Sequence, residues 1–259
     1  PRRYALFLLS ALLFLLTACL ANERPVIVVT ATPGSAPTRV AAALAAPAAS
    51  APALNPLTGL TLSDPAVLNR RPLAVKISNA PDSVRPQAGL ALADLVFEHY
   101  VEGGLTRFTA IYWTHTPPRL GSIRSARLID LELTAMYGAI LVYSGANEPI
   151  RQRIAASTFA ARAYEGVTVG EPLYFRDPAG EAPHNLFAVP AQVWARAAAD
   201  GVNDAPKLRA FSFSATPPSG GETAPAVTVD YGPDVVRWAY DAVSGLYTRS
   251  VDGLPHTDA

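Results

Sequence analysis

Apolar positions in this chain follow two periods in turn between residues 55 and 214. Leu73–Ser78 reads as a strand, and Leu95–Val101 and Thr106–His115 are rich in β-branched and aromatic residues, as strands are. Arg127–Tyr137 carries apolar residues at 128, 131 and 135 and at the neighbouring 129, 133 and 136, which predicts a helix. Ala139–Ser144 is a short apolar strand, and Pro149–Ser157 and Pro190–Ala199 are helices with proline near the first turn. Beyond a breaker-rich stretch, Val227–Tyr231, Val236–Tyr240 and Leu246–Val251 read as short strands with turns at Gly232-Pro233 and Ser244-Gly245. The predicted fold class is therefore an α+β or mixed α/β main domain containing a β-hairpin, over 55–213. A linker over 214–226 leads to a mostly β second domain from 227 to 259. Three short strands are too few for a complete domain, so that second domain is expected to continue past the last residue of this sequence.

The hairpin is the most informative segment. A two-residue turn at Gly103-Gly104 suits the positive φ that primed hairpin turns require. This register pairs Glu102 with Leu105, Tyr100 with Arg107 and Glu98 with Thr109. Arg107 then lies diagonal to Glu98 and Glu102, within reach of both. The cluster reads either as a cross-strand ion pair on a solvated face or as a polar floor for a cleft. A register shift of one residue would break it. His99 falls on the core-facing side.

The N-terminal region changes the picture from fold to address. Pro1-Arg2-Arg3 precedes an apolar run from Tyr4 to Leu16, interrupted only by Ser10. This pattern matches a secretory signal and is too short for a membrane-spanning helix. The run ends Leu16-Thr17-Ala18-Cys19, which looks like a bacterial lipobox, with Cys19 the lipidation site and 1–18 the signal peptide. Cys19 is the chain's one cysteine, so intramolecular disulfides and cysteine zinc sites are excluded. Residues 19–54 are expected to form a lipid-anchored, disordered tether, since 19 of the 24 residues from Ala31 to Leu54 are Ala, Pro, Ser or Thr. The membrane is thus one partner, through lipidated Cys19, and the localisation is extracytoplasmic.

Charge removes further classes. With 21 basic and 21 acidic residues, the chain has no formal net charge. Nucleic-acid binding through bulk positive charge is not predicted. Gly121-Ser122-Ile123-Arg124-Ser125-Ala126-Arg127 sets two hydroxyls and two arginines before a helix, a plausible anion site. The alternative is an ordinary helix cap, with Ser122 or Ser125 capping and the arginines paired to Asp130 and Glu132. In the loop Tyr174–Phe187, Pro183-His184-Asn185 offers an imidazole and an amide. No spaced metal-ligand set occurs, so no metal and no cofactor are predicted. Glu98 and Glu102 as a glycosidase pair would sit about 13 Å apart along a strand, beyond the usual separations.

Several segments in order resemble the YerB-type bacterial lipoproteins. They are Asn55-Pro56-Leu57-Thr58-Gly59; Arg85-Pro86-Gln87-Ala88-Gly89-Leu90; Ala93-Asp94; Glu98; Glu102-Gly103-Gly104; Thr106-Arg107; Gly121 with Arg124–Arg127; and Arg176-Asp177 with Ala182-Pro183-His184-Asn185. Two departures are Ser122, where that family usually has proline, and Ala179-Gly180-Glu181, where a basic residue is expected. The resemblance implies a surface lipoprotein with a mixed α/β domain of unknown function and a smaller C-terminal one. It supplies no activity. Two functions stay open: a tethered module binding an anionic cell-wall or envelope ligand through Arg107, Arg124, Ser125, Arg127 and Asn185, or a hydrolase of envelope polymers using Glu98, Glu102 and His184. A structural role among envelope proteins is a third.

Overall fold

A computed structural model describes residues 52–216 and 218–259. The expected signal, Cys19 and the tether up to residue 51 lie outside the described residues. The fold is mixed α/β, as the periods predict. Its main sheet contains β1 (Leu73–Ser78), the hairpin β2 (Leu95–Tyr100) and β3 (Thr106–Tyr112), β5 (Ile140–Tyr143) and β6 (Ala163–Glu165), in the order β2-β3-β1-β5-β6. The β2, β3 and β1 neighbours are antiparallel, while β1, β5 and β6 run parallel. A three-stranded sheet of β4 (Leu120–Gly121), β8 (Leu186–Ala188) and β7 (Tyr174–Arg176) lies against it. The helices are α1 (Leu128–Met136), α2 (Glu148–Ala155), the one-turn α3 (Gly166–Val169) and α4 (Pro190–Ala199).

All six residues of β1 are buried, because layers cover both faces of the sheet. Leu73, Val75 and Ile77 pack with Phe108, Tyr112 and Ile140 against the small sheet and against Val193, Trp194 and Ala197 of α4. Ala74 and Ile111 face Leu133 and Tyr137 on the opposite side, while Leu141 and Tyr143 meet Ile150 and Ile154 of α2. The helix spacing explains this: 193, 194 and 197 share one face of α4, and 150 and 154 one face of α2. Pro190 opens α4, and Asn147 caps α2 by accepting the Ile150 N–H at 3.1 Å.

The hairpin register differs by one residue from the sequence reading. Tyr100 pairs with Thr106, His99 with Arg107 and Glu98 with Phe108. The turn contains three residues, Glu102-Gly103-Gly104, closed by the Val101 N–H donating to the Leu105 carbonyl at 2.8 Å. Both glycines have positive φ, +77° and +74°, so they satisfy a longer turn as readily as a primed two-residue one. The extra loop residue exchanges the faces of β3 relative to β2. Arg107 therefore joins His99 on the α1 side, and Glu98 lies on the other face.

The C-terminal strands β9 (Ala226–Asp230), β10 (Val235–Asp241), β11 (Leu246–Val251) and β12 (Leu254–Pro255) form one antiparallel sheet, in the order β12-β11-β10-β9. It is tied to the hairpin by a polar cluster. Glu98 accepts from Arg249 at 2.8 Å, and from Asn79 and Thr106 at 2.9 Å each. Arg249 also meets His256, whose Nε2 lies 2.5 Å from Gln87 Oε1 and whose ring stacks on Phe108.

Burial, then the charges of Arg249 and Arg85, push His256 down from 6.5 to about 4. Between those values the unfolded chain binds a proton that the folded chain refuses, so stability falls as pH drops through this window. Denaturant unfolding at pH 7 and pH 4.5 should show a smaller acid loss for His256→Gln than for the parent chain. Equal losses would remove His256 as the cause.

Candidate functional site

Leaving β4, the chain runs through Ser122–Ala126 along the ends of two central strands. The Arg124 N–H donates to the Lys76 carbonyl at 2.9 Å, the Arg124 carbonyl accepts from Ser144 N–H at 2.9 Å, and the Ala126 N–H donates to Gly145 at 2.9 Å. This lacing fixes where the two arginines emerge. Arg107 of β3 and Arg127 both donate to the Ser125 carbonyl, at 3.1 and 3.2 Å. Arg124 donates to the Pro183 carbonyl at 3.4 Å, which brings His184 beside it.

Three guanidiniums thus share one neighbourhood. Glu102 pairs with Arg127 at 2.6 Å, but the Glu102 side chain is 67% exposed. Arg107 and Arg124 belong to no ion pair among the described residues. Burial, then Arg127 and Arg124, push Arg107 down to about 10. Burial and the adjacent Arg127 also lower Arg124, while burial followed by Arg124 and Arg107 lowers His184. Beside this cluster an open cleft of about 500 Å³ is lined by His99, Glu102, Arg127, Asn147 and Arg153.

The α1 N-terminus contributes differently from the sequence expectation. Its cap residue is Arg127, and Asp130 accepts the Arg127 N–H at 2.5 Å. The helix's own carboxylate therefore occupies the position offered to an incoming anion, and the arginine side chains carry what attraction remains. Ser125 Oγ lies 3.5 Å from Ser144 Oγ, away from the cap.

Asp130 also anchors a buried network that periodicity alone did not reveal. Lys76, fully buried in β1, pairs with Asp130 at 3.0 Å and lies 2.6 Å from His99 Nε2. Thr109 donates to Asp130 at 2.5 Å. Facing an ammonium, His99 Nε2 accepts, and Nδ1 is placed to donate to the Tyr100 carbonyl at 3.2 Å. Burial, only partly offset by Asp130, pushes Lys76 down to about 8. The available sequence signal was a lysine inside an otherwise apolar strand, which requires a carboxylate from elsewhere in the fold.

The remaining sequence candidates separate. Glu98 belongs to the Arg249 cluster and Glu102 to Arg127, so they form no carboxylate pair. The Asn185 amide is committed within its loop: its oxygen accepts from Arg176 at 2.8 Å, and its nitrogen donates to the Asp177 and Gly180 carbonyls at 3.0 and 3.1 Å. Beside that loop lies an open pocket of about 200 Å³ lined by Ser122, Asp177, His184, Asn185 and Phe187, among others. Among the described residues, no three His, Cys, Asp or Glu side chains gather to hold a metal ion, and no helix is long and apolar enough to cross a membrane.

Residues 57–203 match the family described as "Protein of unknown function (DUF3048) N-terminal domain". The chain belongs to the DUF3048 family. The DUF3048 match contains the arginine cluster, the Lys76 network and the His184 loop. The chain is 32% identical over 207 residues to the Bacillus subtilis (strain 168) protein named "Putative lipoprotein YerB", covering 78% of this chain and 61% of that protein. The crystal structure of YerB from Bacillus subtilis matches with a TM-score of 0.71 at 31% identity, covering 80% of this chain and 69% of that one. The lipoprotein name of this DUF3048 relative agrees with the lipoprotein reading of this chain, and the matched structure agrees with the mixed α/β fold.

Removing one partner of a buried ion pair costs about 3–5 kcal/mol, whereas replacing both with apolar groups is often far milder. Asp130→Ala is expected to lower stability by about that amount. Lys76→Met with Asp130→Leu should lose less than the sum of the two single changes. Additive losses in denaturant unfolding would dissolve the proposed coupling.

Proposed function

We propose that this protein is a lipid-anchored, extracytoplasmic binding protein for an anionic envelope ligand, held by Arg107, Arg124 and Arg127. The observation that carries this reading is the excess of guanidinium charge: Arg107 and Arg124 are half-buried beside Arg127, and of the two nearby carboxylates Glu102 is largely exposed and paired with Arg127, while Asp130 is paired with Lys76. Guanidiniums are lowered by like-charged neighbours and burial, and a bound anion relieves both effects. Ser125 contributes its carbonyl by orienting two of the arginines. Asn185 contributes by holding the loop of His184.

A hydrolase reading finds less support. Glu98 accepts three hydrogen bonds in the cluster that holds the C-terminal sheet, and Glu102 is engaged by Arg127. Neither is left available as a general base beside His184.

Attachment follows from the lipobox around Cys19. Acyl chains partition into a bilayer at about 0.8 kcal/mol per buried methylene, and two chains suffice for stable anchoring. Cells fed radiolabelled palmitate should label the parent chain and leave Cys19→Ser unlabelled. Label retained in the variant would refute the anchor.

Ligand binding is tested by thermal unfolding of the chain with inorganic phosphate and glycerol 3-phosphate. A ligand at about 100 times its Kd adds about 2.7 kcal/mol if it binds only the folded state. The stabilisation should disappear in Arg124→Ala. The same stabilisation in parent and variant, or none in either, would overturn this reading.

A further inference from the structure

Buried polar atoms normally find partners inside the protein. Among the described residues six buried side-chain nitrogen or oxygen atoms have no hydrogen-bond partner, and three of them gather where Ser122–Arg124 meets the His184 loop: Ser122 Oγ, Arg124 Nε and His184 Nδ1. Ser122 is 3% exposed, so its hydroxyl is withdrawn from bulk solvent. Ser122 and His184 line the same pocket of about 200 Å³. Arg124 reaches the same loop through its contact with the Pro183 carbonyl.

Two other polar groups of that pocket are already committed. Asp177 pairs with Arg119 at 2.8 Å and accepts from the Ala179 N–H at 2.9 Å. Asn185 spends both ends of its amide on its own loop. Unpartnered along this wall are the exposed Ser83 hydroxyl and, just beneath the surface, Ser122 Oγ and His184 Nδ1, with guanidinium charge beside the same loop. A hydroxyl and a neutral imidazole each donate or accept one hydrogen bond with ease, which matches alcohol groups. Guanidiniums match oxyanions. The volume suits several waters or one small polyol and is too small for a drug-sized molecule.

We infer that the arginine site takes an oxyanion carried on a hydroxylated carbon frame, with the anion on Arg124 and Arg107 and neighbouring hydroxyls on Ser122 Oγ and His184 Nδ1. This rests on the anion-binding reading above and narrows its ligand class. A phosphate ester and a uronic acid both present this chemistry, and the test separates them. Ser122 and His184 act here as specificity residues, while the arginines supply most of the attraction.

Isothermal titration of the full chain with inorganic phosphate, glycerol 3-phosphate, glucuronate and glycerol decides the matter. Glycerol 3-phosphate or glucuronate should bind about tenfold tighter than inorganic phosphate, and the tighter of the two identifies the anion. Glycerol alone should not bind measurably. Ser122→Ala and His184→Ala should each weaken the preferred ligand about three- to tenfold, the worth of one neutral hydrogen bond, and leave inorganic phosphate unchanged. Arg124→Ala should weaken every anion. A thermal midpoint of each variant without ligand that is no lower than the parent's keeps a binding loss from being mistaken for misfolding. Phosphate bound with no preference for a hydroxylated anion, or a preference surviving both Ser122→Ala and His184→Ala, overturns this inference and leaves the anion site standing. No anion bound by the parent chain overturns both.

Discussion

A single ammonium inside the central strand constrains the rest of the site. Lys76 occupies a position between β3 and β5 where every neighbouring strand residue is buried. A charge there is tolerable only with a close counter-charge and full hydrogen bonding. Asp130 supplies the charge, while Thr109 and His99 take the remaining donors. Because Asp130 lies in the first turn of α1, the same carboxylate caps the helix and fixes the Arg127 backbone. The position of one arginine of the candidate site is thus tied to the electrostatic balance of the core. That arrangement explains why the cluster can hold like charges close together without the helix moving away.

The legible part of the fold was the part that periodicity governs. Leu73–Ser78 and Pro190–Ala199 agree with the strand and helix that form, because each buries residues at the spacing its own geometry demands. Strands β4, β6, β7 and β8 escaped notice because two or three residues cannot display a period. The hairpin register failed for a different reason. Two consecutive glycines allow positive φ in turns of either length, so turn chemistry alone did not decide between two and three loop residues. That one-residue difference moved Arg107 away from Glu98 and beside His99, into the company of Arg124 and Arg127.

The candidate residues were found by type, and their roles were set by contacts distant in sequence. Arg124 and Arg127 were legible as a pair before a helix. Their convergence with Arg107 depends on the Ser125 carbonyl, which accepts from residues 107 and 127 alike. The role of Glu98 was not legible, because its principal partner is Arg249, on the C-terminal sheet. The partner of Lys76 was not legible, because it lies on a helix that follows three further strands.

A structure built this way divides its charged groups into those that are spent and those that remain available. Glu98, Asp130, Asp177 and Lys76 each have close partners that account for their burial or position. Arg107 and Arg124 donate only to backbone carbonyls, which orient a guanidinium without neutralising it. Orientation without neutralisation differs from what a stabilising ion pair would require, and it leaves an attractive field for an anion arriving from outside. The partnerless hydroxyl of Ser122 and imidazole nitrogen of His184 follow the same logic in uncharged form. Their burial without satisfaction costs about 1–3 kcal/mol each. A fold that carries this cost at two residues beside Arg124 has set its unsatisfied groups next to a guanidinium that no carboxylate pairs.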